Sequence, residues 1–134
     1  MERKNKMIYC ELPKYTAYDI RRIICTEDID EIKIVPLSVG EYCENLDYAE
    51  DVCIYVYVNY ADEEVRANAI LGLSYLARRF NFLSSKVIPY LQMEYSRSTK
   101  YRERIIFAIE DIELFTKGSI CRTGDGSLCY DKKF

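Results

Sequence analysis

The chain has 134 residues, enough for one domain that buries its own core without metal ions or disulfides. It contains no histidine, which excludes Ser-His-Asp and Cys-His catalytic systems, and its six cysteines form no Cys-x-x-Cys pair that would indicate zinc. We therefore expect no metal, no cofactor and no enzymatic activity. There is no export signal and no run of about 20 apolar residues, so we expect a cytoplasmic protein with reduced thiols that contacts no membrane.

Charge is distributed unevenly along the chain. Residues 27–64 contain 12 acidic residues and the single base Lys33, whereas the segments on either side are basic, and the net charge is only −3. An acidic block repels nucleic acid and attracts a basic protein surface. It is equally typical of a solvated surface that keeps a protein soluble. We expect no direct binding of nucleic acid.

The N-terminal third is predicted to form capping helices over residues 14–46. Residues 1–13 are expected to be an irregular arm, with a short strand at residues 7–10. Thr16 and residues 26–28 resemble helix N-caps, and Pro36 should end the second of these helices. A strand at residues 32–34 is the alternative for that segment. Residues 36–46 are expected to be a connector with at most one helical turn, at residues 40–45.

Residues 47–116 contain an internal repeat. Residues 65–76 align with residues 101–112, apolar on apolar and small on small, and residues 52–60 align with residues 87–95. A period of about 35 residues is typical of stacked helical hairpins. For this reason we predict a helix at residues 52–58, although their β-branched side chains alone favour a strand.

The ends of these helices are marked by polar residues and glycine. Asn81 should separate the two hairpins, Ser84 or Ser85 should cap the third helix, and Thr99 should cap a helix over residues 100–115 that ends at Gly118. Residues 117–134 form a C-terminal tail in which a small β-hairpin can form around residues 121–129. The whole chain, residues 1–134, is thus predicted to be a single all-α domain.

The acidic turn and helix at residues 62–73 (DEEVRANAILGL) resemble the second helix of a HEAT repeat, and residues 98–102 repeat the pattern more weakly. The resemblance implies a HEAT/armadillo-like stack of helical hairpins with a concave protein-binding surface. It also implies that Arg66 and Arg102 are structural ladder residues, with Asp62 and Glu63 as their expected acid partners.

A second resemblance concerns residues 34–42 (IVPLSVGEY) and 48–54 (YAEDVCI). In a short, acidic, HEAT-like chain they resemble bacterial immunity proteins of contact-dependent growth-inhibition and related polymorphic toxin systems. The resemblance implies a cognate toxin as partner, usually a nuclease domain, whose basic cleft is blocked. Such a blocker needs acids beside aromatic anchors. The expected partner-binding residues are Glu41, Tyr42, Glu44, Asp47, Tyr48 and Asp51.

The concave side of the repeats is the alternative contact face. Its expected exposed residues are Asn68, Tyr75, Glu103, Glu110 and Asp111. Two other functions stay open. One is a generic HEAT-like scaffold for protein–protein interaction, and the other is a HEAT-like DNA-binding enzyme. The latter depends on arginines in the C-terminal half: Arg78, Arg79, Arg97, Arg102 and Arg104.

Overall fold

A computed structural model describes residues 11–124 and 127–130, and the strand expected at residues 7–10 lies outside these ranges. The described residues are mostly helical, as predicted. The helices are α1 (Ala17–Thr26), α2 (Ile29–Ile32), α3 (Val35–Tyr42), α4 (Leu46–Asn59), α5 (Glu63–Phe80), α6 (Ile88–Arg97) and α7 (Arg102–Phe115). A 3₁₀ turn at Ser85–Val87 precedes α6, and β1 (Ile120–Arg122) pairs with β2 (Leu128–Tyr130). Over the described part of the chain, no helix is long and apolar enough to cross a membrane.

Helix α5 is the centre of the fold. It contacts α3, α4, α6 and α7, and ten of its 18 residues are buried. Small residues let neighbouring helices approach closely. A Cβ atom on Gly72 would lie 2.5 Å from the Pro36 carbonyl oxygen, and one on Gly40 would lie 2.7 Å from the Gly72 carbonyl oxygen. The backbones of α3 and α5 are therefore in direct contact.

The predicted start of α1 is confirmed. The Thr16 hydroxyl accepts a hydrogen bond from the Asp19 backbone N–H at 3.1 Å, and the Asp19 carboxylate accepts one from the Thr16 N–H at 2.9 Å. This reciprocal pair satisfies two donors at the helix start. The second predicted cap is also present, because the Asp28 carboxylate accepts from the Asp30 N–H at the start of α2.

The connector predicted for residues 36–46 is wrong, and so is the strand alternative at residues 32–34. Helix α3 occupies most of this segment, and Pro36 lies in its first turn. Proline is tolerated there because a first-turn N–H has no partner within the helix. Pro36 thus begins α3 instead of ending α2. Ser38 is buried and ties α3 to the preceding segment, donating to the Pro13 carbonyl and accepting from the Tyr15 N–H.

The helix predicted from the repeat is confirmed as α4. Ser84 is at the predicted N-cap position, before the 3₁₀ turn that leads into α6, whereas the cap predicted at Thr99 is wrong because Tyr101 is the N-cap of α7. Neither Ser84 nor Thr99 bonds through its side chain to a following first turn. Each instead donates its N–H and its hydroxyl to a carboxylate of the preceding hairpin. Ser84 donates to Glu50, and Thr99 donates to Glu63. These residues connect successive hairpins, and α7 begins two residues later than expected.

The ladder arginines have different partners from those expected. Asp62 caps α5, and Arg66 pairs with Glu94 of α6, with Nε 3.0 Å from the carboxylate. Arg102 donates to the Tyr95 carbonyl and not to an acid. Arg66 belongs to α5 of the first hairpin and Glu94 to α6 of the second. Their ion pair therefore joins the two hairpins.

The small C-terminal hairpin is confirmed. Cys121 lies opposite Cys129 in the antiparallel register, and their sulfur atoms are 3.7 Å apart. The Arg122 guanidinium forms a two-contact ion pair with Glu113, which holds β1 against α7. The β-hairpin therefore packs against the last helical hairpin, with β1 in contact with α7 and β2 in contact with α6.

Candidate functional site

An apolar groove of about 440 Å³ lies between α1 and α4. Its floor is made by Ile20 and Val52, which are buried, and its rim by the exposed side chains of Tyr48 and Tyr55. The lining residues are Ile20, Arg21, Ile24, Cys25, Tyr48, Asp51, Val52 and Tyr55. A cavity of this size and lining is suited to apolar side chains from a binding partner.

The groove exists because α4 has two apolar faces and only one of them is fully covered. Tyr48, Val52 and Tyr55 recur at helical spacing on one face, while Cys53 and Val56 on another face pack into the core. Helix α1 is the element beside the first face. It is ten residues long and leaves Tyr48 and Tyr55 exposed. Apolar surface consequently stays open between the two helices.

A row of carboxylates, which we name the acidic edge, leads from the end of α3 along the start of α4. It consists of Glu41, Glu44, Asp47 and Asp51. The Lys86 ammonium binds Asp47 at 2.6 Å and Asp51 at 2.8 Å, and these hydrogen bonds raise the pKa of Lys86. Within the described ranges Glu41 and Glu44 have no ion-pair partner. With four carboxylates and one cation, the acidic edge is net negative, and Asp51 belongs to both the edge and the groove.

A further carboxylate lies near the other end of the groove. Glu27 ends α1 in a left-handed conformation with φ of 57°. Burial raises the pKa of Tyr60, and the charge of Glu27 contributes to this shift, as do Tyr55 and Cys25. Glu27 follows α1 directly, two residues beyond Cys25, which lines the groove, so an acid lies near this end of the groove too.

The structure thus brings together only some of the residues expected on the first contact face. Tyr48 and Asp51 line the groove, and Asp47 adjoins them. Glu41 and Glu44 are exposed and lie outside the groove. Tyr42 is half-buried at the end of α3. The sequence did not point to Ile20, Ile24, Val52 or Tyr55. Helical spacing of apolar residues is equally typical of a stripe that faces the core.

The second expected face is only partly exposed. Asn68 was expected at the surface but is buried, because its amide donates to the Lys33 carbonyl and its oxygen accepts from Arg104. It joins α5 to the end of α2 and to α7. Asp111 is paired with Arg78 at 2.8 Å, and Tyr75 is half-buried beside α3. Glu103 and Glu110 are exposed, as expected.

The arginines that would support nucleic-acid binding all have partners within the chain. Each guanidinium donates to a carboxylate, a carbonyl or an amide oxygen. The pairs are Arg78 with Asp111, Arg79 with the Gly40 carbonyl, Arg97 with Glu94, Arg102 with the Tyr95 carbonyl, and Arg104 with Asn68. Binding phosphates would require these contacts to be broken or shared.

The buried ionisable groups have structural partners. Glu50 accepts two hydrogen bonds from Ser84, and Glu94 accepts from Tyr57 and from two arginines. Burial raises the pKa of the Cys53 thiol, which makes it a poor nucleophile at neutral pH. Among the described residues, no three His, Cys, Asp or Glu side chains are arranged to hold a metal ion.

Comparison with known proteins yields no match for this chain among protein-family models, curated proteins or solved structures.

Proposed function

We propose that this protein is an immunity-type inhibitor, which binds a cognate bacterial toxin domain in the cytoplasm and has no catalytic activity of its own. The observation that carries the proposal is the open apolar groove between α1 and α4, joined through Asp51 to the acidic edge. Two exposed tyrosines at its rim have the character of interface anchors.

The groove and the acidic edge have different proposed roles because their chemistry differs. Apolar side chains of the partner would fill the groove and exclude water, which supplies most of the binding energy. The carboxylates of the acidic edge would attract a basic surface, which accelerates association and selects the partner. Glu41 and Glu44 contribute most to this attraction, because no cation in the described residues neutralises them.

A nuclease domain is the toxin class that fits this surface best. A nuclease needs a positively charged cleft to hold phosphates. Carboxylates placed over that cleft would occupy the position of the phosphates and exclude the substrate. No metal and no cofactor is needed for this inhibition.

We also propose that α4–α7 form two HEAT-like hairpins. In support, two carboxylates of the first hairpin perform similar tasks toward the second. Glu50 holds Ser84 before α6, and Glu63 holds Thr99 before α7. Helices α3, α5 and α7 also pack in succession, as the second helices of such a stack would.

The experiment is co-expression with the protein encoded next to this one, followed by purification and a growth assay. We expect a stable complex that rescues growth. Tyr55→Lys places a charge in the groove and should abolish rescue. Tyr18→Lys is the matched control, because Tyr18 is a 67% exposed tyrosine of α1 that does not line the groove.

A second comparison separates the two parts of the surface. Glu41→Lys with Glu44→Lys should slow association by about tenfold at low salt and have little effect at high salt, because charges on the rim act mainly on the association rate. Rescue that survives Tyr55→Lys would refute the groove as the site. A complex without toxicity of the partner would indicate the scaffold function instead.

A further inference from the structure

The outer face of α7 carries a row of exposed residues in which acids alternate with large apolar side chains. The row consists of Glu103, Phe107, Glu110 and Leu114, and we name it the α7 stripe. Phe107 is 64% exposed and Leu114 is 67% exposed, and both carboxylates are exposed as well. None of these residues lines the groove between α1 and α4.

Helical geometry places the four side chains on one face. They are separated by four, three and four residues, so they follow one line about 16 Å long. The buried residues Ile105, Ile109 and Ile112 are each two residues from a member of the stripe, about 200° around the helix. The stripe therefore points directly away from the core, and packing among the described residues does not explain its apolar members.

The carboxylates of the stripe are not neutralised. In the part of the chain that the structure describes, neither Glu103 nor Glu110 has a cation within ion-pair distance. The nearby cations have other contacts. Lys100 lies over the ring of Tyr101, and Arg104 donates to Asn68. A partner that covers Phe107 and Leu114 must then supply positive charge, since unpaired carboxylates are costly to bury.

We propose that the α7 stripe is a docking surface for a basic amphipathic helix of another protein. Apolar residues of that helix would contact Phe107 and Leu114, and its Lys or Arg residues would pair with Glu103 and Glu110. A second copy of this chain fits poorly, because two stripes face to face would bring four carboxylates together without a cation. This interface is independent of the proposed inhibition of a toxin.

The test uses a labelled synthetic helical peptide with leucines at i, i+4, i+7 and i+11 and lysines beside them. We expect saturable binding by fluorescence anisotropy, with amide chemical-shift changes concentrated in α7. Glu103→Lys with Glu110→Lys should weaken binding by about tenfold and restore binding to a matching peptide with glutamate in place of lysine, as expected for a charge reversal. Phe107→Ser with Leu114→Ser should also weaken it.

The matched control is Glu41→Lys with Glu44→Lys, which reverses two acids of the acidic edge that have no ion-pair partner among the described residues. It should leave the peptide-induced chemical-shift changes in α7 unchanged. An equal loss in both charge-reversal variants would show nonspecific attraction and overturn the proposal, as would the absence of binding. Self-association in sedimentation experiments that Phe107→Ser abolishes would also overturn it, in favour of a dimer. Far-UV circular dichroism checks that each variant is folded.

Discussion

Replacing Glu94 with alanine should destabilise this protein more than any other single change of charge in its repeats. Glu94 is completely buried and accepts four hydrogen bonds. Tyr57 donates at 2.9 Å, Arg97 at 3.0 Å, and Arg66 at 3.0 and 3.3 Å. Burial raises the pKa of Tyr57 to about 12, and the hydrogen bond to Glu94 adds to this shift. The phenol therefore remains a donor at every ordinary pH.

The expected loss follows from what each donor can do without Glu94. Removing one partner of a buried pair costs about 3 to 5 kcal/mol. The Arg97 side chain is 46% exposed and can turn toward water, whereas the Arg66 side chain is only 13% exposed. We therefore expect a loss near the lower end, about 3 kcal/mol. For a chain of this size that lowers the melting temperature by about 12 °C.

Urea unfolding followed by circular dichroism at 222 nm measures this loss. Glu94→Gln should be intermediate, because it keeps one oxygen for three of the donors but turns an amide N–H toward Arg66. Asp111→Asn is the control. It breaks the exposed pair with Arg78 and should cost less than about 1 kcal/mol. Equal losses for Glu94→Ala and Asp111→Asn would refute the view that Arg66 joins the hairpins through a buried carboxylate.

Three further predictions concern the core, the tail and the response to acid. Gly72→Ala should cost about 1 to 3 kcal/mol in urea unfolding, because its Cβ would meet backbone atoms of α3, whereas Gly124→Ala meets no atom within 4 Å and should be neutral. Oxidised glutathione should close a Cys121–Cys129 disulfide, detected as the loss of two hydrogens in the intact mass; failure to close would contradict the cross-strand pairing. The Thr99 N–H lowers the pKa of Glu63 from its ordinary value of 4.5. The stability that this carboxylate adds is therefore present above that pH and is lost as the pH falls through the lowered pKa. Glu63→Gln should reduce this loss of stability at acid pH, and an unchanged loss would show that the contact is not formed in solution.

The helices of the repeat were predictable because the internal repeat predicts helices even where local propensity favours a strand. The period of the repeat predicts a helix at residues 52–58, although their side chains favour a strand, and the structure has helix α4 there. Helix α3 was missed because Pro36 was interpreted as an end signal, although proline is equally suited to a first turn. A local pattern does not distinguish these two roles. The helix at Pro36 packs closely on α5, where Gly72 has no side chain to obstruct the α3 backbone.

Polar side chains were predicted less well than helices for a similar reason. Asn68, Ser84 and Thr99 are types of residue that local rules place at the surface or at caps, but each bonds across elements to a residue more than 30 positions away. Such partners are set by packing and have no local signature. The groove was also missed, because an apolar stripe that faces solvent has the same period as one that faces a core.

Hydrogen–deuterium exchange of the protein with and without its toxin tests whether the groove is the inhibitory surface. Binding should slow exchange in α1 and α4, which form the groove, and in the connection between α3 and α4 on the acidic edge. Protection confined to α7 or to the C-terminal hairpin, with α1 and α4 unchanged, would contradict the assignment of the groove as the inhibitory surface.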